Sequence, residues 1–244
     1  LERFPMQAMY GIHNMPGIPA GEFHTRAGGI MASEDNFVIH IAGRGGHAAR
    51  PNMVIDPIVI GSEIVLALQT IVARNVNPAQ SAVVSCTEFT TDGARNAIPG
   101  NVVIKGDTRS FDRDVQALLE TRMRELVAGI CAAHGATGDV EYTFEFEPTV
   151  NDGECVAHAV AAATQVAGAH RVQGDCLPVL ASEDFGAFGR VIPSCFMFLG
   201  NGTSAGEGGD PLHSRTYDFN DEVIADGIAY TVELVRSILK EGSA

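Results

Sequence analysis

The chain has 244 residues, 45% apolar and 19% charged, which is matter enough for a full core and length enough for two domains. A formal charge of −14 excludes the basic face that nucleic acid or an anionic membrane requires, and no apolar run is expected to reach the roughly 18–20 residues of a membrane span. Cys86, Cys131, Cys155, Cys176 and Cys195 are odd in number and form no CxxC pair, which excludes a disulfide frame and fits small hydrophobes in a reducing, cytoplasmic setting.

The chain opens on Leu1, with no basic-then-apolar leader pattern, so more protein is expected upstream. Residues 6–10 read as a short strand. The Pro and Gly positions of 11–21 then predict a loop, with His13 just past a strand end, where open α/β sheets bind ligands. From Asn36 the pattern changes: Phe37, Ile39 and Ile41 alternate with Val38, His40 and Ala42, the period of a strand.

Next comes Gly43-Arg44-Gly45-Gly46-His47-Ala48-Ala49-Arg50-Pro51. Its glycines let the backbone turn sharply and approach other groups closely, and His47 stands at the turn. That presents a histidine to a ligand, or is a tight strand-to-helix turn with a surface histidine. Ile60, Ile64, Leu68 and Ile71 predict a helix over 56–76, with Asp56 as cap and Pro57 in its first turn. Residues 81–90 and 101–108 read as strands joined through the turn-like stretch 92–100. Asp112 caps a second helix striped by Val115, Leu118, Leu119, Met123, Leu126 and Ile130, which stops at His134-Gly135. A strand over 139–147 completes a β-α-β-β-α-β order, the ferredoxin-like arrangement.

Beyond Pro148 the texture is α/β. A helix is predicted over 154–166 and a buried strand over 195–199, followed by a glycine-rich loop over 200–209 and Pro211-Leu212-His213-Ser214. A closing helix over 221–240 is expected to face Val223, Ile224, Ile228, Val232, Val235 and Leu239 inward. Residues 1–35 are too short for a core, so they are assigned with 148–244 to one α/β domain, into which 36–147 is inserted.

His13 and His213 then lie on loops of the same domain. Converging, they make two ligands for a zinc-like ion, whereas a catalytic zinc needs three protein ligands and an open position. Asp210, Asp218 and Asp221 are near in sequence, and caps or loop solvation explain them equally well. Ser182 before Glu183 and Asp184 reads as a helix start, with Asp184 structural and Glu183 open. His24, His40, His134, His158 and His170 match no motif and are read as surface or satisfied histidines.

Six pieces, in order, carry a resemblance: Gly11-Ile12-His13, the Gly43–Pro51 run with Asp56-Pro57, Asn96-Ala97-Ile98-Pro99, Asp107-Thr108-Arg109-Ser110-Phe111, Ser182-Glu183-Asp184-Phe185 and Leu212-His213-Ser214. The chain resembles the C-terminal two-thirds of the di-metal amidohydrolases and exopeptidases that include aminoacylases, hippurate hydrolases, auxin-conjugate hydrolases and carboxypeptidase-G-like enzymes. The resemblance implies a metallopeptidase-type α/β catalytic domain carrying the ferredoxin-like insertion as a lid or dimerisation domain.

It also implies two divalent ions, Zn, Mn, Co or Ni, with His13 and His213 among their ligands. His47 would hydrogen-bond the oxyanion in the partner subunit of a homodimer. Asn96 and Arg109 would hold a small substrate bearing a carboxylate, which a guanidinium grips in two-pronged fashion. The implied reaction is amide hydrolysis in N-acyl amino acids or small peptide-like substrates by a metal-activated water. The family's remaining ligands and its glutamate base precede the position of Leu1, so the chain alone is expected to be inactive. The alternative is a non-catalytic dimerisation or small-molecule-binding module built on the ferredoxin-like unit.

Overall fold

The computed structural model describes residues 3–241. In chain order the first strands are β1 (Met9–Pro16), β2 (Phe23–His24), β3 (Gly28–Met31), β4 (Glu34–Ala42) and β5 (Gly46–His47), followed by α1 (Pro57–Arg74). Next come β6 (Ala82–Thr91), β7 (Ala97–Ile98), β8 (Asn101–Ser110), α2 (Arg113–Ala133), β9 (Thr137–Phe146) and β10 (Thr149–Asn151). The last part holds α3 (Gly153–Ala167), β11 (Val172–Gln173), α4 (Gly186–Gly189), β12 (Ser194–Gly202) and α5 (Ile224–Glu241). These elements divide into two compact units, one made of Ala32–Pro148 with Leu180–Glu183, the other of the remaining chain.

The continuous unit is an antiparallel sheet in the order β6-β8-β4-β9, with α1 and α2 supplying its core. Connectivity and order together are those of the ferredoxin-like arrangement. Ile60, Ile64, Leu68 and Ile71 of α1 are buried against Phe37, Ile39, Ile41, Val102 and Ile104 of the sheet. The Asp56 carboxylate accepts from Ile58 N and caps α1, while that of Asp112 accepts from Asp114 N and Val115 N to cap α2. The buried stripe of α2 runs Val115, Leu119, Met123, Val127 and Cys131, with Leu118, Leu126 and Ile130 half-buried beside it. Gly135, in the left-handed region at φ +72°, ends the helix as its position predicts. Contrary to expectation, one apolar stretch has the length and composition of a membrane span: α1, at 18 residues with mean hydropathy 1.5. Its buried stripe belongs to the core just described.

In the discontinuous unit the main sheet runs β1-β12-β2-β11, and β3 pairs with β10 beside it. All of β12 is buried, and its side chains divide by the two-residue period of a strand. Cys195, Met197 and Leu199 face a layer made by α3 and α5, whereas Phe196 and Phe198 join Ile30, Cys176 and Phe185 on the opposite face.

Two sequence expectations are corrected in this unit. His13 is not on a loop: it lies within β1, opposite Phe198 of β12, because β1 runs on to Pro16. Proline is tolerated there because β1 is the outer strand of the described sheet and Pro16 is its last residue. The closing helix is also phased differently. Val223, Tyr230 and Leu234 are buried, while Ile224, Ile228, Val232, Val235 and Leu239 are exposed, Ile228 at 61% and Leu239 at 67%. Gly227 decides the phase: a Cβ there would sit 3.3 Å from a Leu199 methyl, so the helix seats its glycine side on β12. Tyr230 then stacks 5.1 Å from Phe23.

Candidate functional site

On β1 the strand period again sorts the side chains. Ala8 and Tyr10 pack with the helical layer, and Met9 and Met15 with the phenylalanines. His13 shares the phenylalanine face, its ring 6.2 Å from that of Phe196. Gly11 explains the first part of its motif. A Cβ there would meet the Phe185 and Phe196 rings at 2.8 Å, so only glycine lets Phe185 of Ser182-Glu183-Asp184-Phe185 pack over β1 two residues from His13.

His13 Nδ1 lies 2.6 Å from the carbonyl oxygen of Asn14. A carbonyl can only accept, so Nδ1 carries a proton, and in the neutral form of the ring the lone pair falls on Nε2. That is the tautomer and the second hydrogen bond characteristic of a metal-ligating histidine.

His213 reaches the same end of the sheet by another route. Strands β1 and β12 are parallel, so the loop leaving β12 at Gly202 starts beside Pro16. Asn201, fully buried, pins that loop. Its amide donates to the carbonyls of Gly208 at 2.8 Å and Asp218 at 3.1 Å, and its own oxygens accept from Asn220. The Asn14 amide donates to the Tyr217 hydroxyl, which ties the residue after His13 to the segment four residues beyond His213. His213 is exposed and has φ 63°, the one non-glycine residue in the left-handed region among those described. Such a conformation costs of order 1–3 kcal/mol and is held only where the surroundings over-determine it.

The nearby acids do other work. Asp210 accepts from Gly206 N in a loop turn, Asp218 contributes its carbonyl to Asn201, and Asp221 lies in the first turn of a short 3-10 helix. Among the described residues no group of three or more His, Cys, Asp or Glu side chains is placed to hold a metal ion. The donor chemistry at His13 fits a metal ligand, and the donor set within this chain is partial.

In the ferredoxin-like unit, β5 pairs with β7, which sets His47 opposite Ala97 and lets Ala48 N donate to Asn96 O at 3.1 Å. His47 and Asn96 are thereby brought together. Gly45 permits it, since a Cβ there would lie 2.7 Å from Ile98 O. Asp92 closes the turn beneath Asn96 by accepting from Gly100 N, Asn101 N and the Asn101 amide. That amide, first among these bonds, holds the carboxyl below its ordinary range. His47 Nδ1 accepts from Ala49 N at 3.0 Å, so the neutral ring carries its proton on Nε2 and presents an N–H donor. The two motif histidines are therefore held by backbone groups in opposite ways, His13 donating from Nδ1 and His47 accepting there.

Arg109 is not brought to His47 and Asn96. It stands near the far end of β8, eight residues past Asn101, about 25 Å along an extended strand. Its guanidinium engages Asp107 at 2.8 Å, Glu34 at 3.2 Å and the carbonyl of Leu180 at 3.3 Å. Ser182 does not cap a helix as its position predicts. Its hydroxyl donates to Glu34 at 2.5 Å, and α4 starts later, at Gly186.

Beside Glu34, Asp35 is fully buried. Gln116 donates to it at 2.7 Å, and the Thr108 and Tyr142 hydroxyls at 3.3 Å. Burial pushes its carboxyl up from an ordinary 3.8 to about 6. Glu34 and Tyr217 went unnoticed in the sequence because each is defined by partners remote in the chain, and Asn201 because its partners lie across a loop whose path only the fold sets. The strand period would have found Asp35, which shares its face with Phe37, Ile39 and Ile41.

Four of the five unassigned histidines have polar partners in the structure. His24 meets Glu22, His40 meets Glu141, His134 meets Glu63 and His158 meets Tyr10. All five cysteines are free thiols, and burial raises Cys195 to about 12.

A profile of Peptidase family M20/M25/M40 matches residues 1–237. Hippurate hydrolase of Campylobacter jejuni is 34% identical over 239 residues, 98% of this chain and 61% of that protein. N-acetylcysteine deacetylase of Bacillus subtilis is 33% identical over 237 residues, 96% of this chain and 60% of that protein. Among solved structures, a Bacillus subtilis protein described as a dinuclear metal binding peptidase superposes with a TM-score of 0.79 at 26% identity. That match covers 96% of this chain and 58% of the other. The chain thus spans about three-fifths of the length of these relatives.

Proposed function

Because the chain belongs to Peptidase family M20/M25/M40, we propose that the whole protein hydrolyses the amide bond of an N-acyl amino acid or small peptide-like substrate with a free carboxylate. His13, whose ring is oriented by the bond from Nδ1 to Asn14 O, and His213, on the loop tied to Asn14 through Tyr217, would hold part of a site for two divalent ions. The ions would be zinc, manganese, cobalt or nickel, and the remaining ligands and the base would come from the rest of the protein. When bound, such ions supply Lewis acidity toward water and the scissile carbonyl.

His47 donates its Nε2–H to the oxygen that gains charge as the carbonyl becomes tetrahedral, a contact worth about 3–4 kcal/mol in comparable sites. Asn96 helps to hold the substrate beside it, and Arg109 receives the carboxylate. The length of β8 keeps His47 and Asn96 from sharing one small molecule with Arg109 of the same copy. A homodimer joined through the ferredoxin-like unit, with the partner's lid providing the oxyanion donor, meets that requirement. Five free thiols fit a reducing, cytoplasmic compartment.

The observation that carries this reading is the opposed backbone bonds at Nδ1 of His13 and His47. Zinc and manganese titrations of the chain, read by calorimetry, should weaken on His13→Ala and on His213→Ala. In the whole protein, His47→Ala should lower kcat for N-benzoylglycine by about 100-fold or more. Unchanged metal affinity in both ligand variants, together with unchanged turnover in His47→Ala, would refute it.

A further inference from the structure

Arg109 already has a carboxylate on each of two nitrogens. Asp107 takes Nε at 2.8 Å and Glu34 takes Nη1 at 3.2 Å, all three side chains half-buried. The cluster carries two negative charges against one positive, so an arriving anion meets an occupied receptor. The two carboxylates are not equivalent. Asp107 stands two residues before Arg109 on the same strand face, fixed by the register of β8. Glu34 is the first residue of β4, where the pairing with β9 shifts between Glu34 and Asp35, and it reaches the terminal nitrogen that a two-pronged carboxylate uses. It also accepts from the Ser182 hydroxyl at 2.5 Å, so on leaving the guanidinium it keeps a partner.

We propose that Glu34 is a specificity-determining residue: it occupies Arg109 when substrate is absent and must be displaced by the substrate's own carboxylate. The inference rests on the reading of Arg109 as the carboxylate receptor. Glu34 sets how much binding a carboxylate must supply to be accepted, and anions too weak to displace it are refused.

The test compares N-benzoylglycine with N-benzoylglycinamide, which keeps the scissile bond and lacks the charge. In the whole protein, Glu34→Gln preserves shape and the Ser182 bond while removing the competing charge. It should lower KM for the acid by roughly 3- to 10-fold at unchanged kcat and leave KM for the amide unaltered. Arg109→Met should raise KM for the acid alone and abolish the response to Glu34→Gln. If Arg109→Met raises the acid's KM while Glu34→Gln leaves it unchanged or raises it, Glu34 is a permanent structural partner and the inference is overturned. If Arg109→Met does not move the acid's KM, the receptor assignment fails, and the inference fails with it.

Discussion

Replacing Asp35 by asparagine should make the protein more stable at neutral pH and leave it little changed in mild acid. Asp35 is fully buried, and its carboxyl is raised from 3.8 to about 6 chiefly by burial, against the hydrogen bonds from Gln116, Thr108 and Tyr142 that pull it down. A raised carboxyl pKa means that the folded state binds the proton more tightly than the unfolded state. The stabilisation is therefore complete below about pH 3.8 and is lost as pH rises through about 6. By about pH 7 the loss amounts to roughly 3 kcal/mol, at about 1.4 kcal/mol for each tenfold change in proton affinity.

Asparagine fits the same network. Its carbonyl can accept from Gln116, while its amide donates to the Thr108 or Tyr142 hydroxyl, two groups that already share a bond at 2.5 Å. Urea unfolding of wild type and Asp35→Asn at about pH 4.5 and pH 7 gives the answer. The difference between the two proteins isolates this carboxyl from every other titrating group. The variant should gain about 2 kcal/mol relative to wild type between the two conditions, the rest of the ~3 kcal/mol having been lost already by about pH 4.5. A variant destabilised equally at both pH values would show that Asp35 is ionised throughout and that the argument from burial is wrong.

Ile64→Ala, at a fully buried position of α1, should cost about 2–5 kcal/mol in urea unfolding of the ferredoxin-like unit. Gly11→Ala drives a methyl against the Phe185 and Phe196 rings and should destabilise the other unit by about 1–3 kcal/mol, read by thermal melting. Asn201→Ala removes the bonds that hold the loop after β12, so hydrogen exchange should accelerate across residues 203–219 with little change in β4 or β8.

The ferredoxin-like unit was legible because its signals are local. Alternation in β4, the i, i+4 isoleucines of α1, and the caps Asp56 and Asp112 each act within a few residues of themselves. The discontinuous unit was less so. Whether Gly11 marks a turn or a ring resting on a strand depends on Phe185 and Phe196, more than 170 positions away. The phase of α5 could not be read because that helix has two apolar stripes, and Gly227 against Leu199 selects the buried one. For the site, motif order named the histidines, while their tautomers depend on backbone atoms one or two residues away whose direction only the fold sets. The carboxylates on Arg109 illustrate the remaining gap. Asp107 is within reach by strand period alone, but Glu34 is a neighbour only through the pairing of β4 with β8.

The pairing of Met31 with Thr149 bears on how the chain is born. The two ends of the inserted segment leave it side by side, so once that segment has folded it behaves as a clip joining neighbouring residues instead of a tether of ~120 residues, which relieves roughly 3 kcal/mol of closure entropy. On the ribosome β1 emerges before β12 and has to wait for it, a partner about 180 residues downstream. The intervening domain, complete long before, shortens that wait into a local search.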